Sequence, residues 1–132
     1  MSMQIRHSDL IPDIYLKCKE RFGVSWDSGI AIAYGDTIYS KNPIPDDLHA
    51  HEEVHLRRQA EVGIEEWWNR YLEDPKFRLK EEVMAYAAQI AHAEAHSRRK
   101  YVRDLKRRII RDMATLYGGM CTEGEAVKLL GL

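Results

Sequence analysis

The stretch DLHAHEEVHLRRQAEV, residues 47–62, predicts a helix with an H-E-x-x-H motif in its middle. Positions four apart lie on one face of a helix, so the imidazoles of His51 and His55 can reach one metal ion. Glu52 lies beside that face, where its carboxylate can accept a proton from a water molecule that the metal activates. The motif therefore predicts a zinc site, one Zn²⁺, with two histidine ligands and Glu52 as general base. Glu53 is expected to face solvent.

The residues around the motif set the limits of this helix. We expect Asp46 or Asp47 to cap its first turn and Gly63 to end it. Aliphatic side chains share the helical face of the two motif histidines, so His51 and His55 should point into the core.

The chain before the motif contains one region with strand character. Residues 29–40 alternate large and small side chains around the turn signal Gly35-Asp36, which predicts a short β-hairpin or two adjacent strands. Helical periodicity over Asp9 to Phe22 predicts a first helix, with Pro12 in its first turn.

The chain after the motif is helical in pattern. Asp74-Pro75 and Gly118-Gly119 are the main breaks. The expected fold class is α+β, mainly α, in one domain over residues 1–132, with a core at about 29–97 and a basic helical extension at 98–132. The predicted helices are Glu65–Glu73, Phe77–Ser97, Arg99–Tyr117 and Glu123–Leu130.

A catalytic zinc site needs a third protein ligand. The extended pattern H-E-x-x-H-x-x-G-x-x-H fails, because Arg58 replaces its glycine and Glu61 its last histidine. A glutamate on the helix predicted from Phe77 is the better candidate. Helical geometry places Glu82 on the flank of the apolar stripe and Glu81 opposite it, so we expect Glu82 to face the metal and Glu81 to face water.

The segment H-E-E-V-H at 51–55, followed by E-V-M-A-Y at 82–86, resembles the layout of gluzincin metallopeptidases. The closer likeness is to short metallopeptidases, many of them encoded by phages or prophages, and it covers about residues 29–89. The resemblance implies zincin-like helices behind a small sheet, His51, His55 and Glu82 as zinc ligands, and Glu52 as general base. It also implies a peptide or protein substrate, which could pair with the edge of a strand in residues 29–40.

Tyr86 departs from the pattern of many gluzincins, which have an aspartate at this position. A phenol there could accept a hydrogen bond from a histidine Nδ1–H, or could donate one to a developing oxyanion. The sequence leaves both roles open, and Tyr86 is a tentative site residue.

The basic residues define the main alternative function. Eight of the fourteen residues 98–111 are Lys or Arg, and residues 98–132 have a net charge of +5 within a chain of −1. Such a helix is typical of a solvated outer face, but it could bind nucleic acid or an acidic partner. The alternative is a non-catalytic interaction protein that holds zinc structurally, with His49 as an example of a fourth ligand.

Other features give weaker indications. The chain has 132 residues, two cysteines and no long apolar run, so we expect reduced thiols, no membrane contact and a cytoplasmic location. His92 and His96 are four apart and could form a second metal site, but they are too far along their helix to join Glu82. Arg78 could pair with a carboxylate near the site, although a structural role is favoured.

Overall fold

The computed structural model describes the backbone of residues 4–7 and both backbone and side chains of residues 11–132. It confirms the α+β, mainly α class. None of the described helices combines the length and apolar character needed to cross a membrane. The described elements are β1 (Gln4–His7), α1 (Ile14–Phe22), β2 (Ala31–Tyr34), β3 (Thr37–Ser40), α2 (Asp46–Val62), α3 (Ile64–Glu73), α4 (Pro75–His96), α5 (Arg99–Thr115) and α6 (Glu123–Leu130).

The sheet has the strand order β1-β3-β2. The antiparallel pair β2 and β3 forms the predicted hairpin, with Ala33 opposite Ile38, and Gly35 has the positive φ of +68° that this tight turn requires. The sequence did not indicate β1, which pairs with β3 in parallel. β2 is therefore an edge strand of the described sheet.

Helix α2 lies between the sheet and α4, and one amide side chain fixes it to the hairpin. Gln59 is fully buried. Its Nε2 donates to the carbonyl oxygen of Ala33 at 2.8 Å, and its Oε1 accepts from the N–H of Gly35 at 2.8 Å. A buried amide with both ends paired favours a single arrangement of helix and strand.

The predicted cap of α2 was wrong. Pro45 has the extended backbone of the N-cap, and Asp46 and Asp47 lie within the first turn without capping it. Asp47 is buried instead, because its side chain points toward α4. Acidic residues in a first turn still interact favourably with the helix dipole.

Helix α1 begins later than predicted. It starts at Ile14, so Pro12 precedes the helix and its carbonyl oxygen accepts from the N–H of Tyr15 at 2.9 Å. The part of the prediction at residues 9 and 10 lies outside the described residues.

The later helix boundaries agree with the breaks in the sequence. Pro75 occupies the start of α4, where Asp74 caps the helix by accepting from the N–H of Lys76. An extended residue at Ser97 separates α4 from α5, a point that the sequence left open. α5 ends at Thr115, two residues earlier than predicted, and Thr122 closes a capping box at the start of α6.

Candidate metal centre

Two histidines of α2 and one glutamate of α4 meet between the helices. His51 Nε2 lies 3.1 Å from Glu82 Oε1, and His55 Nε2 lies 3.0 Å from the same oxygen. All three residues are buried, with at most 5% of their surface exposed. The prediction that His51, His55 and Glu82 face inward is thus confirmed.

Glu52 belongs to the same cluster. One potential ligand atom from each of His51, Glu52 and His55 lies within 4.8 Å of the others, and all three side chains are buried. These three residues could hold a metal ion. Glu82 is not a member of this group, although its Oε1 contacts both histidines.

A chain of hydrogen bonds orients His51. Its Nδ1 lies 3.0 Å from Gln89 Oε1, Gln89 Nε2 donates to Asp47 Oδ1 at 2.8 Å, and the Tyr101 hydroxyl donates to Asp47 Oδ2. A carboxylate only accepts, so the amide nitrogen of Gln89 must face Asp47 and its oxygen must face His51. We call these four residues the His51 hydrogen-bond chain.

The His51 hydrogen-bond chain decides the tautomer of His51. Because Gln89 presents an acceptor, the Nδ1 atom of His51 must be protonated, and in the neutral ring Nε2 then has a free lone pair. This lone pair points toward Glu82 Oε1, which is itself an acceptor. Two acceptors at this distance need a proton or a metal ion between them.

The spacing of these atoms fits a metal ion. Ligands at the Zn–N and Zn–O distances of about 2.0–2.2 Å in a tetrahedral site are separated by roughly 3.3 Å. The two separations of 3.0 and 3.1 Å between the histidine Nε2 atoms and Glu82 Oε1 are close to that value. The donor set of two imidazoles and a carboxylate is also one that zinc prefers.

Glu82 is held from its other side by α3. The Tyr71 hydroxyl donates to Glu82 Oε2 at 2.5 Å, which leaves Oε1 to face the histidines. Burial tends to raise the pKa of Glu82, but the charges and hydrogen bonds of His55 and His51 outweigh burial and lower that pKa below its usual range. Positive charge at this position, carried by the histidines or by a cation between them, therefore favours the ionised form of the Glu82 carboxyl group.

Glu52 has a different environment. Its Oε2 is buried and has no hydrogen-bond partner among the described residues. Burial raises the pKa of Glu52 to about 8, with His51 opposing the shift and Glu82 adding to it. A carboxyl group with this pKa can both take up and release a proton near neutral pH.

The prediction for Glu81 was wrong. It is fully buried, and its carboxylate accepts from Arg58 Nε at 3.0 Å and from Trp67 Nε1 at 2.8 Å. α4 packs against α2 and α3 as well as α5 and α6, so its buried surface is wider than the single apolar stripe of the sequence suggested. Arg58, at the position where the extended zinc motif has glycine, thus neutralises a second buried carboxylate next to the site.

Tyr86 packs beside the cluster without joining the hydrogen bonds of the histidines. Its ring lies 4.5 Å from the ring of His51, measured between centroids. His51 Nδ1 bonds to Gln89, and His55 Nδ1 is buried without a partner among residues 11–132. Of the two roles considered for Tyr86, acceptance from a histidine Nδ1–H is therefore not observed.

A small cavity of about 40 Å³ lies next to the cluster. This volume suffices for one or a few water molecules. Its polar side chains include Glu52, His55 and Glu82, while residues 30–33 of the hairpin and the aromatic rings of α3 supply an apolar wall. Tyr117 also lines it, at the only non-glycine position in the described chain with positive φ, +54°.

The other candidate residues lie apart from this cluster. His49 Nδ1 pairs with Glu53 Oε1 at 3.0 Å, and neither residue belongs to the group of His51, Glu52 and His55. The rings of His92 and His96 are 4.5 Å apart, but no third metal-ligating side chain joins them in the described part of the chain. Arg78 donates to the carbonyl oxygen of Tyr71 and has the predicted structural role.

Sequence reasoning missed the residues that orient the cluster. No sequence motif marks the four residues that hold His51 and Glu82 in place, which are Gln89, Asp47, Tyr101 and Tyr71. The position of Gln89, seven residues after Glu82, places it on the same face two turns later, and this spacing is the signal that could have identified it.

No family model, curated protein sequence or solved structure matches this chain. The description of the site therefore depends on its own geometry.

Proposed function

We propose that this protein is a zinc-dependent peptidase of the gluzincin type. The observation that supports the proposal best is the convergence of His51 Nε2 and His55 Nε2 on Glu82 Oε1, at 3.1 and 3.0 Å. Two imidazoles and a carboxylate at this spacing would match the ligand set of catalytic zinc sites, and in the absence of a metal ion the same separations correspond to His–Glu hydrogen bonds or salt bridges.

Glu82 is the proposed third ligand, and Glu52 the proposed base. Glu82 Oε1 is in direct contact with both histidines, whereas Glu52 has a buried oxygen that forms no hydrogen bond with any described group. Zinc at this position would supply the positive charge that polarises a peptide carbonyl and makes a water molecule more acidic. The oxygen of Glu52 that has no hydrogen-bond partner can accept a proton. An oxygen that binds the metal ion could not do so, because its lone pair would be used by the metal.

The proton transfers are assigned to Glu52. It accepts the proton of the attacking water and then delivers that proton to the nitrogen of the leaving amine. The cavity beside Glu52 has room for the water. The Tyr86 phenol is proposed as a hydrogen-bond donor to the negatively charged oxygen that develops on the carbonyl.

The substrate is proposed to be an extended peptide that pairs with β2. This strand is an edge of the described sheet, and Ala31, Ile32 and Ala33 line the cavity beside the cluster. Hydrogen bonds between the backbone of a peptide and an edge strand would position the peptide independently of its side-chain sequence. Gln59 already occupies the Ala33 carbonyl oxygen, so the pairing would involve the part of β2 toward Ala31.

Two variants test the site. Zinc content and affinity are measured on Glu52→Gln and Glu82→Gln proteins, and hydrolysis is followed with a peptide library and mass spectrometry. We expect Glu52→Gln to retain stoichiometric zinc and lose hydrolysis, and Glu82→Gln to bind zinc at least tenfold more weakly. Unchanged zinc affinity in Glu82→Gln would refute the ligand assignment, and loss of zinc in Glu52→Gln would make Glu52 a ligand.

A non-catalytic zinc protein is the second candidate, and the tight enclosure of the site favours it. The candidate ligand side chains are nearly inaccessible, and the neighbouring cavity of about 40 Å³ has room for water but not for a peptide. The two candidates differ in one outcome. A protein with stoichiometric zinc that cleaves no member of the peptide library would support a structural role for the metal.

A further inference from the structure

Helix α5 presents a face of cations that the proposed peptidase does not use. With 100° per residue, Arg99, Arg103, Arg107 and Arg111 fall within an arc of about 120°, together with Lys100, over about 18 Å of helix. All five residues are exposed, and neither acidic residue of α5, Asp104 or Asp112, lies within the arc. We call these five residues the α5 basic face.

The fold leaves this face largely uncompensated. Arg99, Lys100, Arg107 and Arg111 form no salt bridge with any residue in the described ranges, and Arg103 has only a long contact of 3.9 Å with Asp104. The other edge of α5 differs, because Lys106 pairs with Glu94 of α4 at 3.4 Å. The protein thus balances charge where α5 meets α4 and leaves it unbalanced on the outer face.

The arrangement is unfavourable for the isolated helix. Arg99 and Arg103 are four residues apart, as are Arg103 and Arg107, and Arg107 and Arg111. Like charges at this spacing destabilise a helix by a few tenths of a kcal/mol per pair. An anionic partner that runs along the helix would remove this repulsion at all three pairs.

We propose that the α5 basic face binds the phosphate backbone of nucleic acid. Four of its five cations are arginines, whose planar guanidinium groups can donate two parallel hydrogen bonds to one phosphate. Their progression along about 18 Å of helix suits a linear polyanion, and duplex DNA has a phosphate every 3.4 Å along each strand. The contact is to the backbone and is independent of base sequence.

The proposal is independent of the metal centre. Its test measures fluorescence anisotropy of the full-length protein with a labelled 20-nucleotide single strand, the matching duplex and an RNA of the same sequence, between 50 and 200 mM salt. If all five cations contact duplex phosphates, affinity falls about 500-fold across this range. The three probes distinguish DNA from RNA and single strand from duplex.

The decisive variant is Arg103→Gln/Arg107→Gln. We expect weaker binding at 50 mM salt, and a slope of log affinity against log salt that is smaller by roughly 1.8 for the duplex. The matched control, Lys19→Gln/Lys80→Gln, changes net charge equally at two exposed positions outside α5. Circular dichroism of both variants checks that each one is folded.

Two results would overturn the proposal. One is the absence of binding to every nucleic acid at 50 mM salt. The other is equal binding and equal salt slope in the α5 variant and the control, which would show that net charge alone attracts the probe. In the first case, binding to anionic lipid vesicles would identify a membrane surface as the anionic partner instead.

Discussion

Nδ1 of His51 and Oε1 of Gln89 lie 3.0 Å apart, and this contact joins α2 to α4 directly behind the candidate metal centre. The Gln89 amide is itself held by Asp47, which Tyr101 of α5 contacts in turn. Three helices therefore determine the orientation of one imidazole ring. The hydrogen bond that Tyr101 donates to Asp47 also raises the pKa of the Tyr101 phenol. The phenol therefore stays protonated and remains a hydrogen-bond donor.

The first prediction concerns this contact. Gln89→Leu removes the acceptor for His51 Nδ1–H and the donor to Asp47, so the tautomer of His51 is no longer fixed. We expect zinc affinity to fall about 10- to 100-fold, as for other groups that orient metal-bound histidines. Competition with a fluorescent zinc chelator measures the change.

Tyr101→Phe is the control for Gln89→Leu. It removes the hydroxyl that donates to Asp47 but keeps the Asp47 carboxylate that accepts from Gln89, so the orientation of the amide is retained and zinc affinity should change little. Equal losses of affinity in both variants would indicate that general damage to the packing of α2 and α4, and not orientation of His51, causes the effect.

The second prediction concerns stability and metal content. If zinc binds only the folded protein, free zinc at 100 times its Kd raises the free energy of unfolding by about 2.7 kcal/mol. Differential scanning calorimetry should therefore show a melting temperature that rises with zinc and falls with a chelator. The Glu82→Ala protein should show a much smaller rise, and an equal rise in both proteins would place the metal elsewhere.

The sequence predicted most of this fold because its boundaries are marked locally. Gly63 ends α2 as expected, Pro75 begins α4 two residues before the predicted start at Phe77, and the H-E-x-x-H spacing alone indicates which face of α2 is buried. β1 could not be found in the same way, since four residues that pair in parallel with a distant strand have no local partner or turn.

In the candidate site, too, the sequence indicates the residues with a local signal and misses those that depend on distant contacts. His51, His55 and Glu82 were identified because residue type and helical period both single them out. Glu81 was misplaced because a single apolar stripe was assumed for a helix that has neighbours on several sides. Gln89 was missed because a buried amide shows its importance only through the partners it meets in three dimensions.

The third prediction tests the buried pair of Arg58 and Glu81. Arg58→Met leaves the carboxylate of Glu81 with Trp67 as its remaining described donor, and we expect the free energy of unfolding to fall by roughly 2–3 kcal/mol. Urea denaturation measures the loss. Glu61→Gln is the matched control, because it removes only the exposed partner of Arg58 and should cost less than about 1 kcal/mol.

The fourth prediction concerns Tyr86. If its phenol stabilises negative charge on the carbonyl oxygen, Tyr86→Phe should lower kcat about 10²- to 10³-fold while zinc affinity stays unchanged. Steady-state kinetics and the chelator competition separate the two quantities. A loss of zinc affinity with unchanged kcat would instead assign Tyr86 to packing against His51.

The fifth prediction concerns the thiols. Burial raises the pKa of Cys18 to about 12, so its reactive thiolate is scarce in the folded protein at pH 8. In a reaction with a thiol-specific disulfide reagent, we expect Cys18 to react only after unfolding in guanidinium. Cys121, which is partly exposed, should react earlier, and a Cys121→Ser protein isolates the slow group. Rapid labelling of that variant would contradict the prediction.

Gln59 lies four residues after His55 on the same helix, and its amide hydrogen-bonds to the backbone of Ala33 in β2 and of Gly35 in the turn that follows. The helix that carries the candidate metal ligands is thereby joined to the strand on which a peptide is proposed to lie. For a peptide paired with β2, the position of the cleaved bond would be determined by α2, by β2 and by the Gln59 amide that joins them. Insertions or exchanges in α5 and α6 would then leave the cleavage position unaltered.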